Sequence, residues 1–163
     1  PAGDKLAIAN GAETEGPVFQ RLRVVSLNGK QVHSIAAEDI LAFYWSPNSE
    51  LLAWVALDSD RQLFKWRVSE SFQDNGRDVF YFQPSGEFFT LLNFFDQYAY
   101  SHSPWSPDSS KLVIAGSPEQ AFERRNGHTP TGSRGFLLDV TGDGAPLEMA
   151  AGNLAFWSQY EIT

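Results

Sequence analysis

The chain has 163 residues, of which 14% are aromatic and none is cysteine, and it carries a formal net charge of -8 at pH 7. The lack of cysteine excludes disulfides, thiolate metal ligands and a cysteine nucleophile. The acidic balance argues against a nucleic-acid partner, because such proteins cluster Lys and Arg to neutralise phosphates. No apolar run approaches the roughly 20 residues that a membrane-spanning helix needs. The chain starts with Pro1 rather than with an initiator methionine, so we expect a piece of a longer protein.

A nine-residue unit recurs along the chain. It reads WSPNSELLA at residues 45–53 and WSPDSSKLV at residues 105–113. Its second half recurs at residues 1–7, and its first half recurs at residues 156–158. Recurrence at intervals of about 40–60 residues indicates a stacked β-array, in which each repeat is a small sheet that buries its faces against its neighbours.

Each unit predicts a turn that is followed by a buried strand. Proline and the Asn or Asp after it are turn residues, and a run of apolar or β-branched residues comes next. Alignment of the units on their prolines superposes matching apolar positions: Leu6, Leu52 and Leu112, then Ile8, Trp54 and Ile114. A strand that ends in Trp is predicted before each turn, at residues 40–45, 101–105 and 154–157. We expect each Trp ring to pack over the next sheet.

Hairpins fill the rest of each repeat. Asn28-Gly29 is a strong hairpin signal, and it joins predicted strands at residues 22–27 and 31–35. In the third repeat the predicted pair is 136–140 with 147–149. The second repeat leaves two pairings open: the preferred one joins residues 62–68 with 78–83, and the alternative joins residues 79–82 with 88–92.

The unit at residues 105–112, Trp-Ser-Pro-Asp-Ser-x-x-Leu, resembles the WD40-like, PD40-type repeat of TolB-like β-propellers. Similar units occur in the propellers of prolyl-oligopeptidase-type peptidases. The resemblance implies an all-β fold of about three four-stranded antiparallel β-propeller blades, and a periplasmic or extracytoplasmic location. The blades would span residues 1–39, 40–99 and 100–153, with a terminal strand at 154–163. Asn48-Ser49 departs from the Asp-Gly that such families usually show, and Gln159 departs from their proline.

Three blades leave a ring incomplete, because closed propellers usually have about four to eight. The first repeat lacks its first strand, and the terminal strand lacks the rest of its blade. Either the chain is part of a larger propeller, or a homodimer completes a ring of six blades, the number that the resemblance to TolB-like proteins implies.

The sequence carries no catalytic motif. It has no Gly-x-Ser-x-Gly, no phosphate-binding glycine loop and no His-x-x-x-His pair. Ser101 and His102 are adjacent, but on a strand their side chains would point to opposite faces. We therefore predict no catalytic residue, no metal site and no cofactor.

An aromatic insertion at residues 87–100 is the strongest candidate for a ligand site. Its apolar residues at 88, 91, 92 and 95 fit one helical face, which predicts either a buried short helix or an irregular aromatic plug. Ligand pockets combine apolar walls with a few polar groups. We therefore predict ligand contacts from Asp96, Gln97, Tyr98 and His102.

The favoured function is a non-catalytic β-propeller module for recognition of a protein or a small ligand, within a larger protein. The alternative is a regulatory propeller domain of a prolyl-oligopeptidase-type hydrolase whose catalytic domain lies outside this chain. A third hypothesis, a lyase or glycosidase that acts in the channel, needs paired carboxylates at a suitable separation.

Overall fold

The structure is a computed structural model, and it describes residues 3–11, 18–29, 32–70, 72, 75–119, 132–142 and 144–158. Within these residues the chain forms ten strands and two short helices. In chain order they are β1 (Lys5–Gly11), β2 (Phe19–Ser26), β3 (Val32–Ala36), β4 (Ile40–Trp45), β5 (Leu52–Asp58), β6 (Leu63–Ser69), β7 (Arg77–Pro84), α1 (Gly86–Asn93), α2 (Phe95–Tyr98), β8 (Lys111–Pro118), β9 (Arg134–Asp139) and β10 (Leu147–Ala151).

All strand pairs among the described residues are antiparallel, and they fall into three groups. We call β1–β3 the first blade, β4–β7 the second blade, and β8–β10 with the bridge of Trp105 to Leu112 the third blade. Short ladders join the groups, at Phe19 with Ile40 and around Pro84. The predicted all-β architecture of antiparallel blades is therefore confirmed. The described strands form an array that does not close on itself. The blade limits at residues 39, 99 and 153 stay predictions.

The predicted hairpins are confirmed where the structure describes them. β2 pairs with β3, β9 pairs with β10, and the preferred second-repeat pairing is present as β6 with β7. Gly29 has a backbone φ of +65° at the first turn, a conformation that glycine adopts without strain. The start of the predicted strand at residue 31 lies outside the described residues.

The alternative pairing with residues 88–92 is wrong, because those residues form helix α1. Ser85 is the N-cap of this helix, and its Oγ accepts the backbone N–H of Phe88 at 3.0 Å. Phe88, Leu91 and Leu92 share one helical face and are buried. Of the two predictions for this segment, the buried short helix is therefore correct.

Two predicted strands that end in Trp are also wrong. Residues 101–105 form turns and one isolated bridge at Trp105, because Pro104 has no N–H to donate to a ladder. Residues 154–157 form no strand; their neighbour is this same irregular segment, which offers them no ladder to extend. One backbone bond joins the two segments, from the Trp157 N–H to the Ser103 carbonyl at 3.1 Å.

Two apolar cores hold the blades together. The first lies between the first and second blades, and its buried residues are Leu22, Val24, Ile35, Ala36, Ile40, Leu52, Trp54, Ala56 and Phe72. The second lies between the second and third blades and receives α1; its larger buried residues include Tyr44, Trp66, Phe82, Phe88, Trp105, Leu112 and Phe136. Strand β5 serves both cores, because alternate residues face opposite sides of a sheet. Burial of a side chain of this kind contributes about 1.5–3 kcal/mol.

The repeated unit forms the same turn in two blades. In the second blade, Ser46 Oγ donates to Asn48 Oδ1 at 2.7 Å and accepts the Leu51 N–H at 2.9 Å. The third-blade turn repeats both bonds, at 2.6 and 2.9 Å, with the matching residues Ser106, Asp108 and Lys111. The sequence repeat is therefore a repeat of hydrogen bonds as well.

Two further bonds tie this turn of the third blade to the second blade. The Asn48 N–H donates to Ser109 Oγ at 3.0 Å, and the indole N–H of Trp105 donates to the Tyr44 carbonyl at 3.2 Å. Trp105 therefore packs against the preceding blade, so the prediction that its ring packs over the next sheet is wrong.

Candidate functional site

A cavity of about 560 Å³ lies where the second and third blades meet. Four parts of the chain line it: the end of β4 with its turn, helix α2 with the residues after it, the turn of the third blade, and the segment at residues 157–158. The volume is within the range of about 300–1,000 Å³ that is typical of ligand pockets.

Aromatic rings from three elements form a cluster beside this cavity. Phe95 of α2 lies 5.0 Å from Phe43 and 5.8 Å from Tyr44, both of β4, measured between ring centroids. Phe19 of the first blade lies 6.1 Å from Phe95 on the same measure. Such edge and tilted contacts favour fixed ring orientations. These contacts therefore preorganise this part of the cavity wall.

The tryptophans of all three Trp-Ser units line this one cavity: Trp45, Trp105 and Trp157. Trp105 is 1% exposed and is fixed by its bond to the Tyr44 carbonyl, whereas Trp157 is held through its backbone bond to Ser103. Tyr100 also lines the cavity and is 88% exposed, so it stands at the mouth.

The cavity is apolar and electrically neutral. No lining residue among those described carries a formal charge. The polar side-chain groups are the hydroxyls of two tyrosines and three serines (Tyr44, Tyr100, Ser46, Ser103 and Ser158) and the indole N–H groups of the three tryptophans. The Tyr44 phenol is neutral at neutral pH, and burial raises its pKa further above the ordinary value. The lining therefore suits an aromatic or apolar group, and it offers no cationic side chain to an anion.

The four residues that the sequence predicted as ligand contacts do not line this cavity. Asp96, Gln97 and Tyr98 belong to α2 and are exposed, whereas Phe95 and Ala99 of the same stretch are the ones at the cavity. The ring of His102 lies 5.4 Å from Tyr98, so the structure brings these two together. A role for the four in ligand binding stays a prediction.

Ser101 and His102 are in a turn, so the expectation that their side chains point apart is wrong. Ser101 Oγ lies 2.7 Å from Nδ1 of His102. The imidazole also packs on Phe156, with ring centroids 4.4 Å apart. Within the described parts of the chain no carboxylate is hydrogen-bonded to this imidazole, and no three His, Asp or Glu residues are grouped to hold a metal ion.

Sequence reasoning missed the cavity residues because it assigned the tryptophans mainly to packing and gave ligand stacking only as a minor alternative. The signal was present: the Trp-Ser units recur at residues 45, 105 and 157, and each contributes its ring to the same place. In a stacked array each repeat contacts its neighbours, so residues at equivalent positions of successive blades can line one shared surface.

Fold and site together define an open array of β-propeller blades with an aromatic cavity at a blade junction. Among solved structures, the crystal structure of TolB from Acinetobacter baumannii is similar to this chain, with 16% identity and a TM-score of 0.45. The match covers 90% of this chain and 30% of that one, so the chain spans less than a third of the length of that TolB. No protein-family model matches the chain, and no curated protein matches it.

None of the helices in the described residues is both long and apolar enough to cross a membrane.

Proposed function

We propose that this chain is a non-catalytic recognition module that binds an uncharged aromatic or apolar group, from a protein or a small ligand, in the cavity between the second and third blades. The observation that carries the proposal is the convergence of Trp45, Trp105 and Trp157 on one cavity. Trp105 also packs at a blade contact, but packing alone does not require the three rings to share one opening.

The surroundings of the cavity support recognition. Rigid blades hold the lining residues, and a stiff scaffold with loops at its edge suits binding. Apolar walls with a few hydroxyls fit a ligand that is mainly hydrophobic and accepts or donates one or two hydrogen bonds. Tyrosine and tryptophan supply large contact areas with few rotatable bonds, so little conformational entropy is lost on binding.

The test uses para-fluorophenol as the probe, a ring with one hydroxyl, observed by fluorine NMR in the presence of the protein. The wild type is expected to broaden and shift the probe signal in a saturable way. Tyr100→Ala removes an exposed cavity ring and is expected to weaken binding about 2- to 10-fold, because one aromatic contact contributes about 0.5–1.5 kcal/mol.

Tyr98→Ala is the matched control, since it deletes the same type of side chain two residues away but outside the cavity. It is expected to leave the affinity for the probe unchanged. Equal losses in both variants would contradict the cavity as the site, and a loss in Tyr98→Ala alone would instead favour the residues predicted from sequence. Failure of the wild type to bind the probe would overturn the proposal.

We also propose an extracytoplasmic location, which the resemblance of the motif to TolB-like repeats supports. Antibodies against the chain would detect it in the periplasmic or extracellular fraction of the source cell. Recovery in the cytoplasmic fraction would contradict this location.

A further inference from the structure

Each blade has two faces that differ in the residues they present. We call the face with Leu6, Leu52 or Leu112 the leading face, and the opposite one the trailing face. The leading face of the second blade packs on the first blade, and the leading face of the third blade packs on the second. The same contact, leading face on trailing face, is therefore made twice within the chain.

Among the described residues, no second blade covers the leading face of the first blade. Leu52 and Leu112 are 0% exposed, whereas Leu6, at the matching position of the repeat, is 50% exposed. Two residues further on, Trp54 and Ile114 are fully buried, but Ile8 is 38% exposed. Register places Leu6, Val25 and Val32 side by side across β1, β2 and β3, with Val32 53% exposed. This face carries an apolar row across three strands.

The trailing face of the third blade is open in part: Ala115 is fully buried there, but the residues beside it are less covered. Ala53 is fully buried in the second blade, whereas Val113 at the matching position is only partly buried. Register places Val113, Leu137 and Leu147 side by side across β8, β9 and β10, and Leu147 is 58% exposed. The array thus ends in two apolar rows, one on each outer face.

We propose that these two outer faces bind each other between two copies of this chain: the leading face of the first blade of one copy packs on the trailing face of the third blade of the other, and the reverse contact closes the pair. The chain itself makes this type of contact twice, so the new contact continues an interface that is already present. Exposed apolar rows of this kind mark interaction surfaces.

Blade number favours a pair over a longer assembly. Closed propellers have about four to eight blades, and six is the only multiple of three in that range. Two copies of the described three-blade array therefore give a number of blades that closes, whereas one copy or three copies do not. The contact involves neither the aromatic cavity nor its lining residues, so its failure would leave the proposed recognition function in place.

The experiment is sedimentation of the 163-residue chain over a range of concentrations. The wild type is expected to reach the mass of two chains. Leu6→Glu and Leu147→Glu each place a charge on one outer face, and each is expected to raise the dissociation constant of its own homodimer about tenfold or more, as for loss of a central apolar contact. Phe94→Glu is the control: Phe94 is 48% exposed, lies on neither outer face, and its replacement should leave the mass unchanged.

An equimolar mixture of the two variants decides whether the contact is head to tail. One unaltered leading face and one unaltered trailing face remain in the mixed pair, so dimers should return, more weakly than in the wild type. A mixture as monomeric as either variant would overturn the head-to-tail contact. A monomeric wild type, or a ladder of ever larger masses, would overturn the closed pair. Circular dichroism checks that each variant is folded, and the milder Leu6→Ser and Leu147→Ser replace any that is not.

Discussion

The first and second blades carry the same repeat, yet only the second is packed on both faces. In β5 all five residues from Leu52 to Ala56 are buried, whereas β1 alternates between partly buried and exposed positions. The apolar character of Leu6 and Ile8 would suit a strand buried on both sides. The difference lies in the neighbours: β5 has a blade on either side, and β1 has one. In a stacked array, burial is a property of the stack as well as of the strand.

The largest expected effect is at the matched leucines. Leu52→Ala should lower the free energy of unfolding by about 2–5 kcal/mol, because it opens a cavity in a fully packed core. Leu6→Ala, at the same position of the first blade, should cost well under half of that, because half of its side chain is already exposed. Urea denaturation of dilute protein measures both changes, and equal losses would contradict the comparison.

Two glycines extend the comparison of the blades to backbone conformation and to the room available for a side chain. Gly76 follows the second blade's β6 and has φ +66°, and Gly29, in the first blade, has φ +65°. A Cβ at Gly76 would lie 2.3 Å from the Trp54 ring, whereas nothing lies within 4 Å of one at Gly29. Both alanine variants strain the backbone by about 1 kcal/mol, but Gly76→Ala should lose about 1–3 kcal/mol more through overpacking.

Thermal and urea denaturation of the two glycine variants measures that difference. If Gly29→Ala lost as much stability as Gly76→Ala, the first blade would be as tightly packed at its turn as the second blade is.

A smaller effect is expected from the bond that joins the second and third blades. Trp105→Phe removes the indole N–H that the Tyr44 carbonyl accepts, and leaves that carbonyl without its donor. Trp66 is also fully buried, but its indole N–H has no partner among the described residues. Trp105→Phe should therefore be less stable than Trp66→Phe by about 1 kcal/mol, as measured by urea denaturation. The reverse order would show that ring volume outweighs the bond between blades.

The smallest effect concerns the repeated turns, whose internal hydrogen bonds are the same in the second and third blades. The hydroxyl of Ser106 and the N–H and hydroxyl of Ser110 lower the pKa of Asp108 from 3.8 to about 2. Because the folded-state pKa lies below the unfolded one, the contribution of Asp108 is complete above about pH 4 and is lost as the pH falls towards 2.

Asp108→Asn should keep the turn, since Asn48 makes the equivalent bonds in the second blade. Its unfolding free energy should therefore vary less with pH between 4 and 2 than that of the wild type. Identical acid profiles for the two proteins would show that the Asp108 carboxylate does not contribute to stability.

Local signals made the turns and most strands predictable from sequence. The Ser-Pro-Asx turn and the apolar run after it are specified by a few adjacent residues, and so is the hairpin at Asn28-Gly29. The segment at residues 101–105 was not predicted correctly. A strand was expected there by analogy with residues 40–45, but Pro104 has no N–H to donate to a strand ladder. Helix α1 was one of two predictions for its segment, and the N-cap at Ser85 is the local feature that favours it.

The candidate site was much harder to predict. Its lining comes from positions more than 50 residues apart, such as Trp45, Trp105 and Trp157. Their rings meet only because the blades are arranged around a common opening, and that arrangement depends on long-range packing. Selection of polar residues near an aromatic run picked the exposed part of α2, whereas the cavity lies against Phe95 and Ala99.

The residue at position 109 depends on the contact between the third-blade turn and the preceding blade. The φ of Ser109, +64°, is one that glycine adopts more readily, and Ser49 has nearly the same value at the matching position. Glycine at position 109 would relax the chain locally, but it would remove the hydroxyl that accepts the Asn48 N–H. We therefore expect that, in tandem arrays of this kind, serine at this position occurs where the preceding repeat donates a hydrogen bond to the turn. Glycine is expected where no such bond is made.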